Sequence, residues 1–396
     1  MNQPPKNFST DETVIADLIK NKRDFLPGLV PDVEDIRANM NLPILVGGLN
    51  RKEVALALST LPKHSDRVYL SPLDKGLSGA KVFSAWYDVS GRRVGKTFVL
   101  KIGDLSKISQ EVKSIERFVL PDVYGFVRPI QRQGPSKGLI VQEFAGLAAR
   151  SKLQNLREFI CMGHEPAPVI SRLLKDRLGN WYWPRHQKKN TWVLGELFKW
   201  YLSRDRDGTL APSTWGNIDI WLRKTTNVSG NAIQTAAKDI QRDSISTRQS
   251  VVHGDLHCQN ILVDENEEPW PIDFAWCHDK SSPVLDAVML ECSLKFFVIP
   301  HGAELQPLLN IEKYFASKAI PDVSVNDTPY ADEINLALLG VIEIRRLAQE
   351  EMQIAFEDYR KALFVMTWAL RMHSGLSQPY LLGSLAIMAE ALGYKA

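Results

Sequence analysis

Residues 251–276, VVHGDLHCQNILVDENEEPWPIDFAW, hold two histidines, an asparagine and several carboxylates between short apolar runs. Like charges so close together repel, so a fold that gathers Asp255, Asn260 and Asp273 must set something positive among them. Asn260 follows Asp255 by five residues and Asp273 follows Asn260 by thirteen, a spacing that a loop and a two-strand turn can bring to one point. Hard oxygen donors on a tight hairpin suit magnesium, which takes one or two protein carboxylates and leaves its other positions to phosphates and water. Asp273 follows the apolar run WPI, which would hold it rigidly, and Asn260 supplies a neutral carbonyl oxygen. Asp255 is then available to orient and deprotonate an attacking hydroxyl. Asp264, Glu265, Glu267 and Glu268 fall in the turn between the two strands and read as its solvated tip.

The rest of the chain must supply a frame for that stretch. Residues 66–145 are a series of short β-branched and aromatic runs, RVYLSPL, KVFSAWYDV, KTFVLKIG, GFVRPIQRQ and GLIVQEF, separated by turn residues. They predict a small antiparallel sheet. One segment within them, SKISQEVKSIERFVL, repeats Ile108, Val112, Ile115 and Val119 at helical spacing, so the order is three strands, a helix and two strands. Residues 150–245 read as mainly helical, with loops at GHEPAP, RLGNWYWP and DRDGTLAPS. After the opening stretch, SPVLDAVMLECSLKFFV, ADEINLALLGVIEIRRLAQEEM, FEDYRKALFVMTWALRMH and PYLLGSLAIMAEAL predict long amphipathic helices. The expected fold class is therefore α+β: a partly helical N-terminal extension over 1–65, a small sheet lobe over 66–145 and a large mainly helical lobe over 146–396. Asn50 is positioned to cap the helix RKEVALALSTL within the extension, and Gly47 and Gly48 read as a turn.

Composition narrows the function classes. A formal charge of +2, from 48 basic and 46 acidic residues, gives no single-sign field of the kind that gathers nucleic acid or anionic membrane. The cysteines at 161, 258, 277 and 292 form no CxxC pair and suggest no disulfide framework. No basic leader followed by an apolar segment opens the chain and no stretch of about 18 apolar residues occurs, so a cytoplasmic protein is expected.

HGDLHCQNIL with PIDFAW resembles the signature of the aminoglycoside phosphotransferase and choline kinase family, which shares the protein-kinase-like bilobal fold. The resemblance implies ATP and Mg2+ as cofactors, Asp255 as the catalytic base, and Asn260 and Asp273 as metal ligands. It extends upstream: KGLSGAKVFSAW looks like a shortened phosphate-covering loop, with Gly76, Ser78 and Gly79 between two strands. FVLKIG places Lys101 on the third strand, where the family's lysine reaches the α- and β-phosphates. Glu111, followed by Ile115 and Phe118, matches the family's helix glutamate that partners this lysine, with Glu116 as the reserve. LIVQEFAG resembles the linker between lobes, whose backbone at Glu143 and Ala145 would meet the adenine edge while Val82 and Phe144 flank its ring. Asp286 matches an aspartate that buttresses the catalytic loop. The ordered set spans residues 76–273, half the chain.

Other residues invite other chemistry. His253 and His257 are each able to act as base or ligand, but in the family signature the first braces the loop and the second shapes its turn. A zinc site from His257, Cys258, Cys277 and His278 lacks the usual ligand spacing. Trp276 is expected to pack beside the metal. The tryptophans at 181, 183, 192, 200, 215 and 221 serve as helix-packing anchors or as an aromatic wall for a substrate. The expected function is transfer of the γ-phosphate of ATP to a hydroxyl of a small molecule. A segment 150–245 rich in Lys, Arg and Trp argues against a cationic aminoglycoside as that acceptor. Two rivals stand beside it: a protein- or nucleotide-directed transferase, using a partner surface on 1–65 or 150–245, and a non-catalytic ATP-binding regulatory module.

Overall fold

The computed structural model describes residues 53, 67–73, 80–89, 92–134, 136–144, 153–183, 189–203, 212–226, 228–326, 328–371, 373 and 376–395. Asn50, Gly47 and Gly48 lie outside them. The chain divides into two compact units, one of Met1–Asn155, Asp264–Asn266 and Asp273–Trp276, the other of Leu156–Val263, Glu267–Ile272 and Cys277–Ala396.

The first unit is built on an antiparallel sheet of β1 (Arg67–Pro72), β2 (Lys81–Val89), β3 (Arg92–Asp104), β4 (Ile130–Gln133) and β5 (Lys137–Glu143), in the order β1-β2-β3-β5-β4. The three-strand, one-helix, two-strand succession follows the sequence pattern. β3 is internal, and Phe98, Val99, Leu100, Lys101 and Ile102 are all buried, so apolar alternation is lost there. Lys101 sits opposite Val82 on β2 and Ile140 on β5, so all three project from one face. Helix α1 (Leu105–Ser114) covers that face, packing Ile108 and Val112 on Ile140. Gly138 permits the approach: a Cβ there would lie 2.7 Å from Ile108 Cγ2. The helix runs on through a wider π-turn, Ile115–Val119, which keeps Ile115, Phe118 and Val119 buried. The fourth strand starts five residues later than the sequence pattern suggests, because Phe126 joins the sheet only through a single bridge to Phe144.

The second unit is mainly helical. Its helices are α2 (Leu156–Cys161), α3 (Pro166–Ser171), α4 (Gly179–Tyr182), α5 (Leu194–Leu197), α6 (Lys199–Ser203), α7 (Pro212–Thr226), α8 (Gly230–Ile240), α9 (Val284–Ser293), α10 (Leu305–Ser317), α11 (Ala331–Glu350), α12 (Phe356–Leu370) and α13 (Gln378–Ala391). Small antiparallel pairs punctuate them: β6 (Lys189–Val193) with β7 (Ser244–Arg248), β8 (Ser250–Val252) with β11 (His278–Ser281), and the hairpin of β9 (Ile261–Val263) and β10 (Pro269–Pro271). Ser229 caps α8 by accepting the Ala232 N–H at 3.1 Å. Among the described residues no helix is long and apolar enough to cross a membrane.

α9 departs from the amphipathic pattern expected of it. Every residue from Val284 to Ser293 is buried, because neighbouring helices cover it on all sides. Burying it forces its charges inward. Glu291 is gripped by Arg345 of α11 through two bonds, Nε to Oε2 at 2.9 Å and Nη2 to Oε1 at 2.7 Å, and accepts the Tyr359 hydroxyl of α12 at 2.7 Å. Lys295 donates to Glu312 of α10 at 2.7 Å and lies 3.8 Å from Glu291, while Tyr380 and Ser384 of α13 also donate to Glu312. Two carboxylates, one ammonium and one guanidinium thus form a neutral, dry network joining five helices.

The acidic turn of the hairpin is less solvated than its composition implies. Glu265 and Glu267 are exposed, but Asp264 is 4% exposed and its Oδ1 accepts the Asn266 N–H at 2.8 Å. A short polar side chain that bonds the backbone two residues on closes the turn from inside. Glu267 and Glu268 meet Arg172 and Arg177 at 3.2 and 3.0 Å, with the Arg177 guanidinium stacked on Trp270.

Candidate active site

In the first unit, Lys101 Nζ lies 2.7 Å from Glu111 Oε2 and 2.6 Å from Asp273 Oδ1, with side-chain exposures of 9%, 5% and 13% respectively. The sheet register and the α1 packing produce this geometry: Ile108 and Val112 seat the helix on Ile140, and Glu111 between them comes over Lys101. Asp273 arrives with φ of +68°, a left-handed conformation costly for a residue with a Cβ. The next residue helps hold it there, since the Phe274 N–H bonds the Glu111 carboxylate, and Gln110 donates to Ala275 O at 2.8 Å. Phe274 is buried and packs edge-on against Phe126, which packs edge-on against Phe144.

Two carboxylates share one ammonium, and the imbalance shows in their titration. Burial pushes Glu111 up to about 7; the Lys101 charge opposes the rise and the Asp273 charge adds to it. Burial alone would lower Lys101, but the two carboxylates outweigh it and raise it. A carboxyl whose folded pKa is raised stabilises the fold fully below its unfolded pKa and loses that contribution as pH climbs to the folded value. Stability should therefore fall between pH 4.5 and 7, by on the order of 2 kcal/mol from Glu111. Glu111→Gln is expected to flatten that slope, measured by denaturant unfolding across the window; an unchanged slope would show that Glu111 titrates normally.

In the second unit, the loop between β8 and β9 carries Asp255 and Asn260. Asp286 of α9 accepts three bonds: the His253 N–H at 2.7 Å, the Gly254 N–H at 2.9 Å and the Tyr182 hydroxyl at 2.8 Å. Burial raises Asp286 to about 6 against those donors. Gly254 has φ of +79°, which a Cβ would resist. His253, fully buried, bonds Ile272 O through Nε2 at 2.9 Å. The Asp255 carbonyl accepts from Asn260 Nδ2 at 2.9 Å and from the His257 N–H at 3.0 Å. His257 Nε2 stands 4.0 Å from Asp255 Oδ2. Cys258 N–H bonds Ser293 Oγ at 3.0 Å, tying the loop to α9 a second time.

Residues 221–373 match a family model described as Ternary complex associated domain 9. No curated protein matches the sequence. Among solved structures, the chain is similar to a thermostable mutant of the aminoglycoside phosphotransferase APH(4)-Ia in ternary complex with ADP and hygromycin B, at 9% identity and a TM-score of 0.43, over 82% of this chain and 94% of that one. A second mutant, with AMP-PNP and hygromycin B, gives 11% identity and a TM-score of 0.37 over 82% and 94%. Spectinomycin phosphotransferase APH(9)-Ia, with ADP and spectinomycin, gives 11% and 0.35 over 83% and 93%. At such identities and TM-scores the likeness assigns no residue a role.

The remaining sequence candidates scatter. Gly76, Ser78, Gly79 and Ala145 lie outside the described residues. Val82 is half-buried opposite Lys101, and Glu143 is exposed. Phe144 is fully buried, its ring engaged by Phe126. Glu116, the reserve partner for Lys101, is on the surface 3.8 Å from Arg128. Trp276 is half-buried in the short helical turn after Asp273. Burial raises the thiols of Cys258 and Cys277 above their ordinary range. Among the described residues no trio of His, Cys, Asp and Glu is placed to hold a metal. Sequence reasoning missed Tyr182 and Tyr201, the latter donating its hydroxyl to Gly254 O. A lone tyrosine in an aromatic-rich helical segment carries no local mark of such a bond.

Proposed function

We propose that the chain is a phosphotransferase that moves the γ-phosphate of ATP to a hydroxyl of a small-molecule acceptor. The observation that carries this reading is Lys101 held between Glu111 and Asp273, of which the family resemblance implies the Lys101–Glu111 pair. A buried ammonium already held in place by carboxylates is preorganised to meet phosphate oxygens. Asp255 would accept the acceptor's proton and align its oxygen for in-line attack, the backbone on either side of it already hydrogen-bonded.

The donor chemistry fits magnesium. Asn260 donates through Nδ2 to Asp255 O, which leaves its Oδ1 as a hard acceptor, and Asp273 supplies a carboxylate. Two such donors do not make a closed cage, as suits an ion that keeps waters and phosphate oxygens as ligands. When bound, magnesium would neutralise charge on the phosphates. Asp273→Asn is expected to weaken magnesium-nucleotide affinity by roughly ten- to a hundredfold, the worth of a charged contact. Titration with a fluorescent ATP analogue checks it, and equal affinity with and without the substitution would remove Asp273 from the metal site.

The match over residues 221–373 supports a second reading, because it spans the Asp255 loop and its description speaks of a ternary complex. On that reading the chain binds nucleotide within an assembly and transfers nothing. Incubation with γ-labelled ATP and a cell extract separates the possibilities. Labelled small molecules support the proposed activity, labelled protein alone replaces it with a protein-directed transfer, and nucleotide binding with no labelled product favours the assembly.

A further inference from the structure

The Asp286 brace of the loop acts on the residues before Asp255. Asp286 Oδ1 takes the Gly254 N–H, which fixes the peptide plane preceding Gly254. The plane that follows, from the Gly254 carbonyl to the Asp255 N–H, is separate. Gly254 joins the two planes with φ of +79° and no side chain, so rotation between them meets little steric resistance. At its N–H end this second plane has His253 Nδ1 at 3.4 Å, long for a hydrogen bond. At its carbonyl end it accepts the Tyr201 hydroxyl.

We infer that Tyr201 is a positioning residue for Asp255, its hydroxyl fixing the peptide plane from which the catalytic carboxylate projects. The inference rests on the reading of Asp255 as the base. The plane after Asp255 is held by Asn260 Nδ2 and the His257 N–H, so with Tyr201 in place both planes flanking the aspartate are pinned. Tyr201 suits the task. It is 4% exposed on α6, its ring packs edge-on against Trp200 at 4.7 Å, and a buried hydroxyl pays heavily for losing its acceptor. Tyr182 reaches the preceding plane through Asp286. The segment expected to line the acceptor is thus bonded to two successive planes of the loop, through tyrosines 19 residues apart.

The chain contains only two Gly-Asp steps, Gly103–Asp104 and Gly254–Asp255. Labelling glycine with carbonyl carbon-13 and aspartate with nitrogen-15 therefore gives two correlations in a carbonyl-detected amide spectrum. In the wild-type protein the Gly254 carbonyl should resonate downfield of an unbonded glycine. Tyr201→Phe should move it upfield and leave Gly103 in place. The same variant should lower kcat by about ten- to a hundredfold, the scale of a misplaced catalytic group, with nucleotide affinity and KM for ATP unchanged. A merely structural tyrosine would lower the unfolding temperature without separating kcat from KM. If Tyr201→Phe does not fold, 4-fluorophenylalanine at 201 fills the hydroxyl's volume without donating. A wild-type carbonyl at the unbonded position overturns the proposal, as does a moved carbonyl with kcat intact. Wild-type protein with the downfield carbonyl but no transfer to any acceptor or to water overturns the transfer reading, and the positioning role with it, while leaving the bond itself established.

Discussion

Asp255→Asn is expected to reduce phosphoryl transfer by about a thousandfold, the middle of the range for a general base, while nucleotide affinity stays within experimental error of wild type. The two effects separate because of where the residue sits. Asp255 projects from a loop whose backbone is fixed by Asp286, Asn260 and the His257 N–H, and none of these bonds uses the Asp255 carboxylate. Asparagine keeps the shape and the backbone while removing the group that accepts a proton. Lys101, Glu111 and Asp273, the groups expected to meet nucleotide, belong to the first unit and are untouched. Single-turnover transfer and equilibrium binding of an ATP analogue check the two halves. A variant that transfers at the wild-type rate would show that Asp255 neither removes the proton nor aligns the acceptor. A variant that loses nucleotide affinity as well would make Asp255 a binding residue.

The parts of this site legible in the sequence are those with a local signature. Lys101 lies on a strand defined by its β-branched neighbours, Glu111 on a helix defined by Ile108, Val112 and Ile115, and Asp273 just after an apolar run; the family resemblance implied the Lys101–Glu111 pair, and the contact of Lys101 with Asp273 was not anticipated. The Gly138 approach that lets α1 close on the sheet was not legible, because a glycine in a strand marks a close contact without naming the partner. Tyr201 and Tyr182 were hidden for a related reason. Their bonds reach 53 and 104 residues along the chain, to a backbone carbonyl and to the Asp286 carboxylate. Asp264 misled in the opposite direction, since composition sends an acidic turn to solvent, whereas the side chain bonds its own backbone and turns inward. Charge in α9 misled most. Periodicity assigns charged positions to the wet face of a helix, and it has no means of recording that Glu291 meets an arginine 54 residues later and a tyrosine 68 residues later.

That buried network yields the largest expected effect on stability. Arg345→Met should cost about 3–5 kcal/mol, the range for removing one partner of a buried ion pair, and lower the midpoint of chemical unfolding accordingly. Burial would raise the Glu291 carboxyl, but Arg345 first, with Lys295 and the Tyr359 hydroxyl, outweighs it and holds the carboxyl below its usual range. Without Arg345, Lys295 at 3.8 Å and the Tyr359 hydroxyl must support a second buried carboxylate as well as Glu312. Phe315 O, which Arg345 Nη1 reaches at 2.7 Å, also loses its donor. Adding Glu291→Leu restores the charge balance, because Lys295 and Glu312 remain as a paired cation and anion at 2.7 Å. The double variant should therefore be more stable than Arg345→Met alone, although the Phe315 carbonyl keeps it from regaining the whole loss. Equal stability of the single and double variants would mean that the cost came from lost packing around the arginine and not from an unbalanced charge. Because the network belongs to the second unit and the Lys101 cluster to the first, Arg345→Met assayed well below its unfolding midpoint should bind nucleotide as the wild type does.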